Sequence, residues 1–322
     1  MSPNKRKFQL TGQSLKGIWA GPPVFWDEKF RLDEKTTADN FRRICQIPPH
    51  GIYILGSTGE FYAFDFEEFK QLTDLFLETV SPFQIPTQVG CGGTSTREII
   101  RRMEYAYQKG TDGIQVVLPF WEELTDREVQ EFFKELYRSF PHLPIVHYNI
   151  PRAKKFLTGE DYRRILEVCP TLIGIKFTFA GSNFGALQES LMVTPQLSYF
   201  VGEDLLASAM MIGAKGSCSS LIYVIPKIII ELYEKAERKE WEPAIKIQQT
   251  IVKFLSDAFR FWEENRVGIF DPVADKGMGL ASDFLKGHPR VRPPFVGWTE
   301  KEVGKFRTWL KENYGHLLGS AV

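Results

Sequence analysis

Three short polar motifs interrupt otherwise apolar stretches of the chain: GSTGE at residues 56–60, YNIP starting at Tyr148, and GIKFT around Lys176. In LIGIKFT a lysine breaks an apolar run, and if that run is a strand, alternation aims Gly174, Lys176 and Thr178 to one side. A lysine at its ordinary pKa of about 10.4 is less than about one part in a thousand neutral at pH 7, yet attack on a carbonyl carbon needs the free amine. Burial among apolar neighbours lowers that pKa and supplies a nucleophile. A lysine that snorkels to water or pairs with an acid is the competing reading of this stretch taken alone. Tyr148 brings a phenol able to relay protons beside Lys176 if the two runs are neighbours, although a buried tyrosine satisfied by a backbone group would look the same. The glycines of GSTGE let the backbone turn sharply after Gly56, so that amides and hydroxyls of Ser57 and Thr58 can converge on a carboxylate; a plain tight turn is the alternative. His147 is one residue out of phase with Tyr148 and reads as a packed core histidine.

Such residues act together only if the fold gathers them. Apolar, β-branched runs recur at residues 17–22, 51–56, 86–90, 113–118, 144–148, 172–178, 197–201 and 216–224. Most are nearly uninterrupted in apolarity, which suits strands covered on both faces, as in a parallel sheet with helices outside. Amphipathic stretches lie between them, and four open on a capping box or a close variant: Asp65 with Glu68, Ser95 with Glu98, Thr125 with Glu128, and Thr158 with Asp161. Eight strand-loop-helix units predict an α/β TIM barrel more readily than an open sheet. Two helical stretches, 226–240 and 241–264, follow, then a tail punctuated by Gly and Pro that ends in a helix capped by Thr299 and Glu302. We read residues 1–225 as the barrel and 226–322 as a C-terminal helical extension packed on it, because no composition shift or long linker separates them.

The 322 residues include 40 basic and 40 acidic side chains, so no global field favours nucleic acid or an anionic membrane. Met1–Leu10 lacks the apolar core of a secretion signal and the apolar runs are strand-sized, which reads as a cytoplasmic protein. Four scattered cysteines form no CxxC pair, and five histidines show no HxxxH or HExxH spacing, so neither a disulfide framework nor a metal site is signalled.

Taken together, GSTGE, YNIP and GIKFT, in that order and at strand ends, resemble the dihydrodipicolinate synthase and N-acetylneuraminate lyase superfamily, and GEDLLASAMMIGAKG (202–216) is similar to the segment joining its last two strands. The resemblance implies a lyase or aldolase in which Lys176 forms a Schiff base with pyruvate or a longer 2-keto acid. It further implies that Tyr148 is the general acid and base and that Ser57 and Thr58 hold the carboxylate. It implies no cofactor beyond the covalent imine, a small-molecule keto acid as partner, and a homo-oligomer, tetramer or dimer.

Departures from the family pattern bear on the second substrate. Where dihydrodipicolinate synthases carry a tyrosine pair, this chain has Phe120 and Trp121, neither able to carry a proton. Arg152 directly follows Pro151, while Ala153 takes the place expected for an arginine. Thr178 and Ser220 match sialic acid lyases, Ser220 at a sugar-contacting position, but Leu205 stands where their acidic residue would be. Pro119-Phe120-Trp121 is similar to the Pro-Met-Trp of hydratase-aldolases acting on aromatic pyruvate adducts, and an aromatic pair favours an apolar or planar acceptor. The alternatives are dihydrodipicolinate (4-hydroxy-tetrahydrodipicolinate) synthase itself, a deoxy-keto sugar acid dehydratase or aldolase, and a keto-acid-binding protein that has lost turnover.

Overall fold

A computed structural model describes residues 7–178 and 181–318. Eight parallel strands, β1 (Gly17–Ala20), β2 (Gly51–Ile54), β3 (Thr87–Gly90), β4 (Gly113–Val116), β5 (Ile145–Asn149), β6 (Leu172–Phe177), β7 (Ser198–Val201) and β8 (Gly216–Ser219), close into a barrel in sequence order. The helices α1 (Glu34–Cys45), α2 (Phe66–Val80), α3 (Thr96–Lys109), α4 (Asp126–Ser139), α5 (Gly159–Val168), α6 (Phe184–Val193) and α7 (Leu206–Met211) alternate with them. α8 (Pro226–Glu237) follows β8 and packs on β1 and α7. All eight predicted strands and the TIM-barrel class are present.

The strands sort their side chains by alternation. Ile18, Ile54, Ile114, Val116, Ile175 and Phe177 are buried under the helices, whereas Trp19, Tyr53, Val146, Phe200 and Cys218 fill the barrel. Leu10 and Leu15 join that inner cluster from the segment before β1, and with the bond from Phe8 N to Asp112 Oδ1 (2.9 Å) they plug the N-terminal end. Gly51 is required by this packing, since a Cβ there would lie 2.3 Å from the Trp19 indole.

Full capping boxes form at Asp65, Thr125, Thr158 and Thr299. Ser95 accepts from Glu98 N, but the Glu98 carboxylate is taken by Thr94 N, so this box is incomplete. β2 and β8 stop short of the predicted ends. Leu55 turns left-handed (φ 59°) into the GSTGE loop. After Ser219 the Glu203 carboxylate accepts from both Ser219 Oγ (2.5 Å) and Leu221 N (3.0 Å), taking an amide that would otherwise extend the ladder.

Beyond the barrel, α9 (Trp241–Asn265), α10 (Val273–Ala281) and α11 (Glu300–Tyr314) complete the chain. α10 comes back over the β2 end. There Glu60, fully buried, accepts from Trp26 Nε1 (2.9 Å), from Lys276 Nζ on α10 (2.8 Å) and from Arg292 N (2.9 Å). The Lys276 amine is itself fully buried, and burial lowers its pKa despite the Glu60 charge. This tie fixes α10 against the GSTGE loop, which makes α10 part of the mouth rather than a remote appendage. Among the described residues no helix is long and apolar enough to cross a membrane.

Candidate active site

β5 and β6 place Tyr148 and Lys176 as register partners at the C-terminal end of the barrel, where sites of this architecture form. Lys176 Nζ lies 4.0 Å from the Tyr148 ring centroid and donates to Tyr53 Oη at 3.1 Å. Tyr53 was not singled out in the sequence. The signal was available, because alternation along GIYIL puts Gly51 and Tyr53 on one side and GSTGE follows directly. Thr178 holds the strand end rather than facing the amine alone, donating Oγ1 to Asn149 O at 2.7 Å.

Competing influences act on the Lys176 amine. Burial is the largest and lowers its pKa; Tyr148, Tyr53 and Cys218 raise it, and together they hold it well above the ordinary lysine range, the opposite of the lowering expected from the sequence. Burial also pushes the Tyr53 phenol far up and the Cys218 thiol up to about 11. Neither is therefore an anion near neutral pH.

The GSTGE loop brings Ser57 Oγ to 3.3 Å from Tyr148 Oη. Thr58 points the other way and donates Oγ1 to Asp275 Oδ2 on α10 at 2.5 Å. Asp275 is 9% exposed, and its pKa is raised to about 7 by burial and by Asp271, against the lowering effect of the Thr58 and Ser220 hydroxyls. Ser220 thus joins the Asp275 side of the site. Asp275 lay outside sequence reasoning, since nothing in VADKGMGLA marks it as a partner of a residue 217 positions earlier.

Two cavities flank the Lys176–Tyr148 pair. A small one of about 150 Å³ is lined by Lys176, Thr178, Cys218, Asp204 and Leu205. A wider one of about 390 Å³ takes in Ser57, Tyr148 and Arg152 and is walled by Phe61, Tyr62, Phe120, Ile150, Phe270 and Phe295. Arg152 Nη2 pairs with Asp271 Oδ1 at 2.9 Å on its rim. Trp121 does not line either cavity. Its side chain is 74% exposed and its carbonyl accepts from Lys154, so the sequence neighbour of Phe120 points away from the site. A depression of about 460 Å³ at the opposite end of the barrel is lined by Lys7, Asp74, Lys109 and Asp112. Of these charges, Lys109 is paired with Asp74, and Asp112 accepts from Thr87 N. His147 faces outward, with Nδ1 2.9 Å from Tyr162 Oη and its ring against Phe133. Among the described residues no three His, Cys, Asp or Glu side chains converge as a metal site.

A closed eight-stranded parallel barrel with a half-buried lysine at its C-terminal mouth is the class this geometry defines. Residues 14–313 match the model of the dihydrodipicolinate synthetase family, and the chain belongs to that family. A 4-hydroxy-tetrahydrodipicolinate synthase of Marinobacter nauticus is 33% identical over 255 residues, covering 74% of this chain and 86% of the relative. An uncharacterized DapA-like lyase of Halobacterium salinarum is 29% identical over 234 residues, 71% of this chain and 75% of the relative. YagE, a prophage protein of E. coli K12 solved in complex with pyruvate, shares the fold with a TM-score of 0.82 at 22% identity, over 92% of this chain and 98% of that one.

Proposed function

We propose that this protein is a class I lyase or aldolase that forms a Schiff base between Lys176 and pyruvate or another 2-keto acid, making or breaking a carbon–carbon bond. The observation that carries the reading is the part-buried Lys176 amine held at the mouth between Tyr53 and Tyr148. The free amine attacks the C2 ketone, water leaves, and the protonated imine draws the electron pair of the bond between C3 and C4 as it breaks. Tyr148, reached by Ser57 Oγ, takes and returns the proton at the reacting oxygen. Ser57 holds the keto-acid carboxylate together with Thr58, whose hydroxyl is bonded to Asp275 in the free protein.

The wider cavity receives the second substrate. Its walls of Phe61, Tyr62, Phe120, Phe270 and Phe295 favour an apolar or planar group, with the N–H groups of Arg152 not used by Asp271 offered to a terminal carboxylate. Leu205 at the smaller cavity weighs against a sugar acid, and Phe120 against the proton relay of dihydrodipicolinate synthases. Homo-oligomeric assembly belongs to the same reading, on the family resemblance; sedimentation as a monomer would remove that part of it.

Borohydride reduction in the presence of pyruvate, followed by peptide mass mapping, tests the central claim. The expected product is a reduced adduct on Lys176. Absence of any adduct there would overturn the proposal.

A further inference from the structure

A hydroxyl has one proton to give. In the free protein Thr58 gives it to Asp275: the Oγ1 to Oδ2 distance is 2.5 Å, and both side chains are nine-tenths or more buried. A keto-acid carboxylate held by Thr58 needs that same proton, and it brings a second negative charge to the immediate neighbourhood of the first. The groups facing Asp275 do not relieve the conflict. Asp271 on the approach to α10 and Glu203 after β7 are acids that add to its burden, the Thr58 and Ser220 hydroxyls hydrogen-bond to it, and Tyr223 is a buried phenol. The cations in this region are committed elsewhere, Lys276 to Glu60 and Arg152 to Asp271.

We propose that Asp275 is a positioning residue that couples keto-acid binding to proton uptake: when Thr58 turns its proton to the substrate carboxylate, Asp275 takes one from solvent and donates it back to Thr58 Oγ1. The balance is simple. One proton moves from solvent to the Asp275 carboxylate, the Thr58 O–H bond is kept, and the charge of the pocket is unchanged by the arriving carboxylate. Burial already holds the free Asp275 near its midpoint at neutral pH, so the exchange is accessible under ordinary conditions. The inference rests on the proposed role of Thr58 in holding the carboxylate.

Titration calorimetry of the whole chain with pyruvate, in phosphate and in Tris, reads the protons taken up. At pH 8 the wild type is expected to take up more than the Asp275→Asn variant by an amount approaching about one proton per site. Its apparent Kd is expected to weaken by up to about tenfold per pH unit above neutrality, while that of Asp275→Asn varies less, because the amide donates to Thr58 at every pH. Lactate, a 2-hydroxy acid that forms no imine, removes any contribution from Lys176; uptake at pH 8 on its binding to the wild type is expected, and this measurement stands even if the variant does not fold. Equal uptake and equal pH slopes in wild type and Asp275→Asn, or no uptake with lactate, would overturn the inference while borohydride trapping on Lys176 still succeeded. Failure of trapping would instead remove the reading beneath it.

Discussion

Tyr148 and Lys176 are register partners on adjacent strands, and the lysine nitrogen sits over the tyrosine ring at 4.0 Å from its centroid. The phenol oxygen is turned to Ser57 instead, 3.3 Å away. The ring therefore helps desolvate the amine while the hydroxyl is free to serve the reacting oxygen, and the two tasks separate by mutation. In Tyr148→Phe the ring remains, so borohydride trapping of pyruvate on Lys176 is expected to persist. Exchange of the pyruvate methyl protons in heavy water, which needs a proton carrier, is expected to slow by about 10²–10⁴-fold. Exchange at the wild-type rate would remove Tyr148 from proton transfer.

Glu60 closes the GSTGE loop and is bonded to Lys276, both side chains being fully buried. Removing one charge strands the other in a medium that solvates it poorly, a loss of about 3–5 kcal/mol for a buried pair. The depressed pKa of Lys276 limits that loss, since a neutral amine needs no counter-charge. Glu60→Gln is thus expected to fall at or below the low end of the range in chemical denaturation, and to loosen α10 from the loop enough to weaken pyruvate binding. Pairing it with Lys276→Met is expected to recover part of the stability. Single and double variants of equal stability would show that the pair contributes nothing as a pair.

The barrel was legible because its strands are covered on both faces and so appear as unbroken apolar runs, with Asp65, Thr125 and Thr158 marking the helices that follow. Lys176 stood out for the same reason, as a charge in a run that otherwise has none. The parts that stayed hidden are joined across long stretches of chain: Thr58 to Asp275 across 217 positions, and Glu60 to Lys276 across 216. α10 is short and buried on every side, which leaves no amphipathic period to show which residue meets the barrel. Trp121 misled for a local reason. In an irregular loop, adjacency to Phe120 says nothing about direction, and the two side chains diverge.

Arg152 and Phe120 line the wider cavity, away from the amine, so their loss should separate the second substrate from the first. A charge-assisted hydrogen bond from Arg152 to an acceptor carboxylate corresponds to about 1.5–3 kcal/mol, or about 10–100-fold in KM. Arg152→Ala is expected to raise KM for an aldehyde bearing a carboxylate by that factor, and to affect an unsubstituted aromatic aldehyde far less. Phe120→Ala is expected to show the opposite preference. Steady-state kinetics with the two aldehydes and pyruvate reads both, and identical effects of the two variants would mean that the cavity does not sort acceptors in this way.

His147 sets a limit on acid stability. It is buried between β5, α4 and α5, with Nδ1 2.9 Å from Tyr162 Oη, and burial lowers its pKa from 6.5 to about 3. The unfolded chain binds a proton near the ordinary value, whereas the folded chain does so only near the depressed one. Over that interval the unfolded state carries more protons, so stability rises with pH. The neutral histidine's contribution is therefore complete above about pH 6.5 and is lost progressively as pH falls toward 3, at up to about 1.4 kcal/mol per pH unit. Carboxylates add their own acid sensitivity, which makes the difference between proteins the informative quantity. His147→Gln, which does not titrate, is expected to be less stable than the wild type at pH 8 but to lose stability more slowly between pH 6 and 4, so that the two urea denaturation midpoints converge. Midpoints that fall in parallel over that range would show that His147 titrates alike in the folded and unfolded chain.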